Sequence, residues 1–257
     1  MNIHDILLTM SVIKDGEWDG IYRLLKEKVP LTDEQVREAY SRMKSSCLTL
    51  CDPEYPDGLK EVEQPPLALF YRGDFSLLGA SKILACVGAR KATPYTLNTV
   101  GHLVETLLEI DDSIVVISGL AEGVDSVCMR AAMKRGAGVI GVLGSGIDRV
   151  YPDSSQDIYD YCCSKKGLLL SEYPLSVAPQ KNHFPFRNRI IAGLAHAVFA
   201  AQVGERSGTY VTVKKALNYG KNIGVLPQPL MPDECTPSLI KDGATPICSA
   251  NDLLDLF

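Results

Sequence analysis

The stretch Ile83-Leu84-Ala85-Cys86-Val87-Gly88-Ala89-Arg90 is the best indicator of how this chain of 257 residues folds. An apolar run of strand length ends in a glycine turn, and a helical pattern that begins at Pro94 follows it. A strand followed by a turn and a helix is the repeating unit of a parallel sheet with crossover helices. We therefore predict that an α/β domain starts here.

The same unit recurs towards the carboxyl end. Apolar runs predict strands at residues 83–87, 114–117, 139–143, 168–170, 197–203 and 223–226. Helical patterns follow Pro94 and cover residues 124–135, 154–164, 187–194 and 209–219. The expected fold class is α/β, with a mostly parallel sheet and helices on both of its faces.

The amino-terminal part has a different pattern. Up to about Lys44, apolar residues at helical spacing predict short helices, and Thr32 with Gln35 has the spacing of a capping box. Turn-rich segments at 52–58 and 64–66 then lead into a short apolar strand at 67–71. We expect a small helical appendage at residues 1–46 and one larger domain at residues 47–257.

Composition indicates a soluble protein of the cytosol. Hydrophobic residues make up 46% of the chain, which is enough for a substantial core. No apolar run approaches the roughly 20 residues that cross a bilayer, and the amino end lacks a secretion signal. The eight cysteines are scattered, so we expect free thiols, and no metal site because paired ligand spacing is missing.

Charge restricts where nucleic acid could bind. The formal net charge of −5 argues against a protein that is coated in basic residues. From Tyr173 to Gly204, however, there is no Asp or Glu, while Lys181, Arg187 and Arg189 all occur. The local potential of this segment should be positive.

Glycine turns follow four of the predicted strands, at the sheet edge where ligands of parallel sheets bind. These turns are Val87-Gly88-Ala89-Arg90, Ser118-Gly119-Leu120-Ala121-Glu122-Gly123, Gly144-Ser145-Gly146 and Ser207-Gly208-Thr209. Each one alone is often needed only for turn geometry. Together with Arg90, Arg187 and Arg189 they predict a site for a phosphate-bearing ligand, because small residues leave amides and hydroxyls free for an anion.

The segment from Lys181 to Arg189 adds His183, Phe184 and Phe186 to its cations. Single-stranded nucleic acid is held by such a mixture, with cations on the backbone and aromatic faces against bases. Two other interpretations stay open. Phe184 and Phe186 could be buried while Arg187 pairs with Glu172, or the segment could be a solvated basic loop.

The sequence gives little support for catalysis. Ser118 and Ser207 follow strands but have no evident histidine partner, and no Gly-x-Ser-x-Gly nucleophile elbow occurs. The first turn lacks Gly-x-Gly-x-x-Gly, and no Walker motif is present. We predict no catalytic residue and no cofactor, and we interpret Glu122, Asp125, Asp148 and Glu172 as structural or ligand-orienting.

Several motifs, in order and spacing, resemble the DprA (Smf) family. They are Ser118-Gly119-Leu120-Ala121-Glu122-Gly123-Val124-Asp125, Val142-Leu143-Gly144-Ser145-Gly146-Ile147-Asp148-Arg149-Val150-Tyr151-Pro152, Leu170-Ser171-Glu172-Tyr173-Pro174, the block from His183 to Leu194, and Arg206-Ser207-Gly208-Thr209. The similarity extends from about Leu48 to the carboxyl end.

The resemblance implies an extended Rossmann-like domain that binds single-stranded DNA, protects incoming DNA, forms a homodimer and loads RecA in natural transformation, without being an enzyme. By position it implies DNA contacts at Arg90, Ser118, Gly119, Arg187, Asn188, Arg189, Ser207, Gly208 and Thr209. The residues themselves add Gly88, Lys181 and Phe184 to this prediction. Family members often carry a winged-helix domain at the carboxyl end, which we do not expect here because the chain stops at Phe257.

Some positions depart from the family pattern. Glu122 stands where a basic residue is common, Met129 where histidine is common, Asp153 where some members have a pocket lysine, and Pro227-Gln228-Pro229 where a Val-Pro-Gly turn is expected. Carboxylates at the DNA mouth would repel phosphate. Weaker or altered DNA binding is one expectation from Glu122 and Asp153.

An alternative function is that of a nucleotide-type small-molecule binding protein or a phosphoribohydrolase-like enzyme. The fold resembles that of nucleoside-monophosphate phosphoribohydrolases, which carry a Pro-Gly-Gly-x-Gly-Thr loop. Here Gly204-Glu205-Arg206-Ser207-Gly208-Thr209 matches only the end of that loop. A third alternative is an interaction scaffold with a vestigial pocket.

Overall fold

The structure, a computed structural model, describes residues 2–229 and 234–257. Within them, the strands are β1 Ser46–Thr49, β2 Ala68–Gly73, β3 Ile83–Gly88, β4 Val115–Ser118, β5 Val139–Leu143, β6 Gly167–Ser171, β7 Ala197–Ala201, β8 Asn222–Leu226 and β9 Thr245–Pro246. The α-helices are α1 Ile3–Ile13, α2 Trp18–Lys26, α3 Asp33–Arg42, α4 Asp57–Lys60, α5 Pro94–Ile110, α6 Val124–Lys134, α7 Gln156–Cys162, α8 His183–Leu194, α9 Gly208–Asn218, α10 Thr236–Lys241 and α11 Ala250–Leu254. Short 3-10 helices cover Phe75–Gly79 and Asp153–Ser155.

In the described part of the chain these strands form one sheet in the order β1-β2-β6-β5-β4-β3-β7-β8-β9. The strands from β6 to β9 in that order pair in parallel, whereas β1 and β2 pair antiparallel at one edge. The chain adds strands on one side of β3 as far as β6 and then returns to the other side of β3 with β7. This order confirms the Rossmann-like, mostly parallel sheet that we predicted.

Successive residues of β3 contact opposite layers of the core. Leu84 and Cys86 belong to the apolar cluster under α5, α6 and α7, while Ala85 and Val87 belong to the cluster under α8 and α9. Side chains alternate across a strand, so a continuous apolar run fits a strand that is covered on both faces. Helices therefore lie on both faces of the sheet, as predicted.

The sequence placed most elements of the parallel sheet within a few residues of their observed bounds. The predicted helix at 187–194 is the main difference, because α8 begins at His183. Phe184 and Phe186 consequently lie in the first turn of a helix and not in a loop.

The amino-terminal helices pack against the rest of the chain. Leu8 and Val12 of α1 belong to the core cluster that covers one face of the sheet, and Trp18 Nε1 donates to the Pro65 carbonyl at 2.9 Å. The capping box is confirmed, since Thr32 Oγ1 accepts from Gln35 N at 3.2 Å and Gln35 Oε1 accepts from Thr32 N at 2.9 Å. The division into residues 1–46 and 47–257 stays a prediction. Among the residues that the structure describes, no helix is long and apolar enough to cross a membrane.

Candidate nucleic-acid interface

A cleft opens where the strand order reverses, at the carboxyl ends of β3 and β7. Gly88, the last residue of β3, pairs in register with Ala201, the last residue of β7. From there the chain leads to α5 on one side and to α9 on the other, so the two loops separate. Such a reversal point is the usual ligand site of an open parallel sheet.

The cleft has a volume of about 800 Å³. Most of its lining comes from three segments: the loop after β3, the chain from Lys181 into α8, and the chain from Glu205 into α9. The structure brings together here most of the residues predicted to contact DNA: Gly88, Arg90, Lys181, Phe184, Arg187, Asn188, Ser207, Gly208 and Thr209. Ser118, Gly119 and Arg189 are not part of its lining.

Exposed cations border the cleft. Arg90, Lys181 and Arg206 are all exposed, and none of them makes an ion pair with another described residue. The guanidinium of Arg90 lies 5.4 Å from the centroid of the Phe184 ring, within the range of a cation–π contact. Glu205, next to Arg206, is the exposed acid of the same lining. Three cations against one exposed acid make the rim of the cleft positive.

Arg187 is part of the floor of the cleft and is only 4% exposed. Its guanidinium donates to the carbonyls of Gly119, at 3.1 Å, and of Val142. Burial lowers the pKa of Arg187 to about 10, a shift that the nearby carboxylate of Asp125 opposes. We expected Arg187 to be free to bind a phosphate, but its guanidinium already bridges the loop after β4 and the end of β5. Arg187 is therefore a positioning residue.

Ser118 and Gly119 lie beneath the cleft, and Gly119 contacts the guanidinium of Arg187. Ser118 is fully buried, and its hydroxyl donates to the Cys86 carbonyl at 2.5 Å. Gly119 N donates to Asp125 Oδ2 at 3.2 Å, and any Cβ at Gly119 would collide with the guanidinium of Arg187. Both residues thus have a structural role, in which glycine is required for close approach. Gly119 also lines a small cavity beside the cleft, and the DNA contacts predicted at Ser118 and Gly119 stay a prediction.

Arg189 lies on another side of α8, in a buried ion pair. It is 1% exposed, and its guanidinium donates to both carboxylate oxygens of Glu172, at 2.5 and 2.9 Å. It also donates to the carbonyls of Gln64 and Phe186, and it stacks 3.7 Å from the centroid of the Phe186 ring. The expected pairing with Glu172 therefore exists, but Arg189 makes it and Arg187 does not. The predicted DNA contact at Arg189 is corrected for this reason.

The two phenylalanines of α8 also separate. Phe184 is half-buried at the cleft, with its ring centroid 5.5 Å from that of Tyr151. Phe186, as described, holds the guanidinium of Arg189. Of these two phenylalanines, Phe184 lines the cleft and offers part of its ring to a ligand there, and Phe186 does not.

The amino end of α9 faces the same cleft. Ser207 is its N-cap, since the hydroxyl accepts from Tyr210 N at 3.1 Å and donates to the Gly204 carbonyl at 2.7 Å. Asn188 of α8 donates through Nδ2 to the Gly208 carbonyl at 3.3 Å and so joins the two helices. The first amides of a helix carry a partial positive charge and suit an anion.

A model of the DNA recombination-mediator protein A family matches residues 46–257. The chain belongs to this family. It is 35% identical over 223 residues to DNA processing protein DprA of Bacillus subtilis, covering 86% of this chain and 74% of the relative. Its identity with DprA of Streptococcus pneumoniae is 34% over 230 residues, with 88% and 79% covered.

Solved structures of the family agree with this fold. The X-ray structure of DprA from Streptococcus pneumoniae has a TM-score of 0.81 and 29% identity, and the similarity covers 100% of this chain and 93% of that one. A structure of DNA processing protein A from Helicobacter pylori was described for its unique single-stranded DNA binding mode. Its TM-score is 0.73 at 28% identity, over 84% of this chain and 96% of that one.

The acids that depart from the DprA pattern occupy different places. Glu122 lines a smaller cavity of about 160 Å³ beside the cleft, together with Arg90 and Phe184, and it accepts from Ser154 Oγ at 3.0 Å. Asp153 is exposed at the start of a 3-10 helix and lines neither cavity. The expectation that both acids face the DNA is therefore corrected for Asp153.

The other two departures from the family pattern, at Met129 and at Gln228, lie outside the cleft lining. Met129 is fully buried in the core under α6. Gln228 accepts from Thr96 Oγ1 at 3.3 Å, which joins the segment after β8 to the start of α5. Neither residue lines the cleft.

Arg206 and Tyr151 line the cleft but were missing from the predicted contacts. Both stand within DprA motifs that the sequence displays, Arg206 directly before the N-cap of α9 and Tyr151 at the end of the Gly144 to Pro152 run. A cation next to a predicted helix start was the signal that could have identified Arg206.

Proposed function

We propose that this chain binds single-stranded DNA in the cleft between β3, α8 and α9. The observation that carries the proposal is the set of three exposed, unpaired cations, Arg90, Lys181 and Arg206, around the half-exposed ring of Phe184. Cations can neutralise successive phosphates while the ring stacks on a base. The single-stranded DNA binding mode described for the Helicobacter pylori relative supports this assignment.

The proposed contacts differ from those predicted by sequence in a defined way. Arg90, Lys181, Arg206 and the first amides of α9 would hold phosphates, and Phe184 would hold a base. Arg187 would act from beneath the cleft, where its bonds to backbone carbonyls hold the loop after β4 to the end of β5. An aromatic ring tolerates any base, so we expect little sequence preference.

We further propose a role in recombination, as a cytoplasmic homodimer that protects single-stranded DNA and loads RecA during natural transformation. The match to a family of recombination mediators supports this role. The cleft would act by binding and not by catalysis, since the hydroxyl of its Ser207 is engaged in capping α9.

The DNA proposal is tested by titrating the full chain into a fluorescent oligo-dT of about 20 nucleotides at two salt concentrations. We expect affinity to fall with salt, with a slope of about −0.7 for each phosphate that is neutralised. Binding that is absent, or that is independent of salt, would overturn the proposal.

The recombination role needs a separate measurement. RecA would be added to single-stranded DNA that is covered by a single-strand-binding protein, with and without the chain, and ATP hydrolysis by RecA would be followed. A shorter lag with the chain present is expected. An unchanged lag in a preparation that binds oligo-dT would reject RecA loading while leaving DNA binding intact.

A nucleotide-type small molecule is the second candidate, because a cleft of about 800 Å³ has the size of a small-molecule site. Calorimetry with AMP distinguishes the two functions. AMP binding with release of free adenine would favour a phosphoribohydrolase-like enzyme. If AMP neither binds nor displaces oligo-dT, this candidate is rejected.

A further inference from the structure

A second groove, of about 870 Å³, separates the amino-terminal helices from the loop between β6 and α8. Lys14, Arg42 and Lys44 lie on its amino-terminal side. The residues from Leu175 to Gln180 form the other side, and they include the half-buried Leu175 and Val177. The cleft-lining residues described above do not include any of these.

The groove has an excess of positive charge. Of its three acids, Glu17 is hydrogen-bonded to His183 at 2.8 Å, and Asp148 forms an ion pair with Arg72. Asp15 is the third. Because Arg72 neutralises Asp148, the carboxylates of Asp15 and Glu17 stand against the three cations of the groove. Lys14 and Lys44 make no ion pair within residues 2–229 and 234–257.

Arg42, the third cation, is only weakly engaged. Its guanidinium is 3.9 Å from a Glu38 oxygen, and both side chains are more than half exposed. Exposed pairs of this kind contribute little free energy, so Arg42 is available to a ligand. In a chain of net charge −5, such a concentration of cations is a local feature.

The groove continues the DNA cleft. Gln180 lines the groove, and the next residue, Lys181, lines the cleft. His183, the first residue of α8, fixes the two sites relative to each other: it is stacked on Tyr173, with centroids 4.0 Å apart, and bonded to Glu17 of the amino-terminal part. A DNA strand that leaves the cleft past Lys181 would therefore enter the groove directly.

We propose that this groove binds the adjoining stretch of the same DNA strand, with phosphates at Lys14, Arg42 and Lys44. This inference rests on the proposed function. An acidic protein segment has the same charge, but the continuity with the cleft favours a ligand that is already bound there. The amino-terminal helices would then lengthen the DNA site of the protein.

The test compares oligo-dT of about six nucleotides, enough for the cleft, with oligo-dT of about 20 nucleotides. The double variant Lys14→Glu with Lys44→Glu is expected to bind the longer strand at least about threefold more weakly, with the salt slope reduced by about 1.4. Its affinity for the short strand should equal that of the natural chain, which also shows that the variant is folded.

The matched control is Lys26→Glu with Lys28→Glu, which changes the charge equally on exposed residues that line neither site. It should bind both strands as the natural chain does. The inference would be overturned if the groove variant bound the longer strand as tightly as the natural chain does, or if it lost the same affinity for both strands. It would also be overturned if the control variant lost as much affinity as the groove variant. Suppose instead that the groove variant loses binding of a fluorescent polyglutamate peptide that the natural chain binds, while its binding of the longer strand is unchanged. That result would assign the groove to an acidic protein segment and would also overturn the inference. Failure of the natural chain to bind either strand would instead reject the proposed function itself.

Discussion

Arg187 and Arg189 are two positions apart on α8, and their guanidinium groups serve different parts of the molecule. Residues i and i+2 of an α-helix lie roughly 200° apart around its axis. Arg187 consequently reaches the backbone of Gly119 and Val142 under the cleft, whereas Arg189 reaches Glu172 and the segment before β2. Sequence alone could not distinguish them, because the carbonyls and the carboxylate that hold them are distant along the chain.

Replacing Arg189 should affect stability and not DNA binding. In Arg189→Met, Glu172 would be left buried and unpaired, and burial already raises the pKa of that carboxyl. We expect the free energy of unfolding to fall by about 3–5 kcal/mol, measured by urea denaturation at neutral pH. The double variant Glu172→Leu with Arg189→Met should recover much of the loss. A loss below about 1 kcal/mol in the single variant would contradict the described role.

Replacing the exposed arginines should weaken DNA binding and leave stability nearly unchanged. Arg90→Ala and Arg206→Ala each remove a proposed phosphate contact, so each should weaken oligo-dT binding and reduce the salt slope by about 0.7. Thermal unfolding should be nearly unchanged, because neither side chain is buried. Arg37→Ala, at an exposed site on α3, is the control. If oligo-dT binding by Arg90→Ala and by Arg37→Ala had the same salt slope, Arg90 would not be a phosphate contact.

The two phenylalanines provide a further contrast. Phe184→Leu should cost about 1–3 kcal/mol of DNA binding, because a stacking surface for a base is lost while apolar volume is mostly kept. Phe186→Leu should leave binding unchanged, since that ring contacts Arg189. Fluorescence titration of both variants with oligo-dT measures the difference. Similar affinities for the two variants would show that Phe184 does not stack on DNA.

At the level of elements, sequence periodicity was sufficient for the parallel strands from β3 to β8 and for most crossover helices. The early start of α8 had no such signal. Its N-cap residue, Asn182, makes no side-chain capping bond, and Pro185 stands in the first turn, where proline is tolerated but suggests a break when read from sequence. The edge strand β9, two residues long, was likewise too short to show a pattern.

The ends of β3 and α5 that lie opposite the cleft should respond to acid. Lys82, directly before β3, donates to Asp111, which follows α5, and this bond lowers the pKa of Asp111 to about 2. A carboxyl with a lowered pKa in the folded state contributes stability above its ordinary pKa of 3.8, and the contribution is lost as pH falls towards 2. Asp111→Asn should therefore reduce stability by less than about 1 kcal/mol at neutral pH.

The pH profile is the decisive measurement for Asp111→Asn. The difference in unfolding free energy between the variant and the natural chain should shrink between about pH 4 and pH 2. Oligo-dT binding at neutral pH should be unaffected, because Asp111 lies away from the cleft lining. A difference that is constant over this pH range would point to a cause other than the carboxylate charge.

At the scale of the whole molecule, the amino-terminal helices and the sheet share one core through Leu8, which is 1% exposed. Unfolding should therefore be a single transition. Trp18, the chain's one tryptophan, reports on the amino-terminal part, while far-ultraviolet circular dichroism reports on all helices and strands. The two signals should coincide in urea.

Leu8→Ala tests the shared core further. It should lower stability by about 2–5 kcal/mol and shift both signals together. The exposed Ile3 of the same helix, replaced by alanine, is the control and should have little effect. A tryptophan transition that moves alone would show that the amino-terminal helices unfold independently.

The seam between β3 and β7 also determines when the cleft can exist during synthesis. Ile83 and His196, which are hydrogen-bonded beside this seam, are 113 residues apart in sequence. A nascent chain on the ribosome can pair β3 with β4 early, but the other edge of β3 stays open until β7 has been made. Open strand edges promote association with other chains. The proposed DNA-binding surface is thus among the last parts to form, and until then the nascent chain exposes the unpaired edge of β3 beside it.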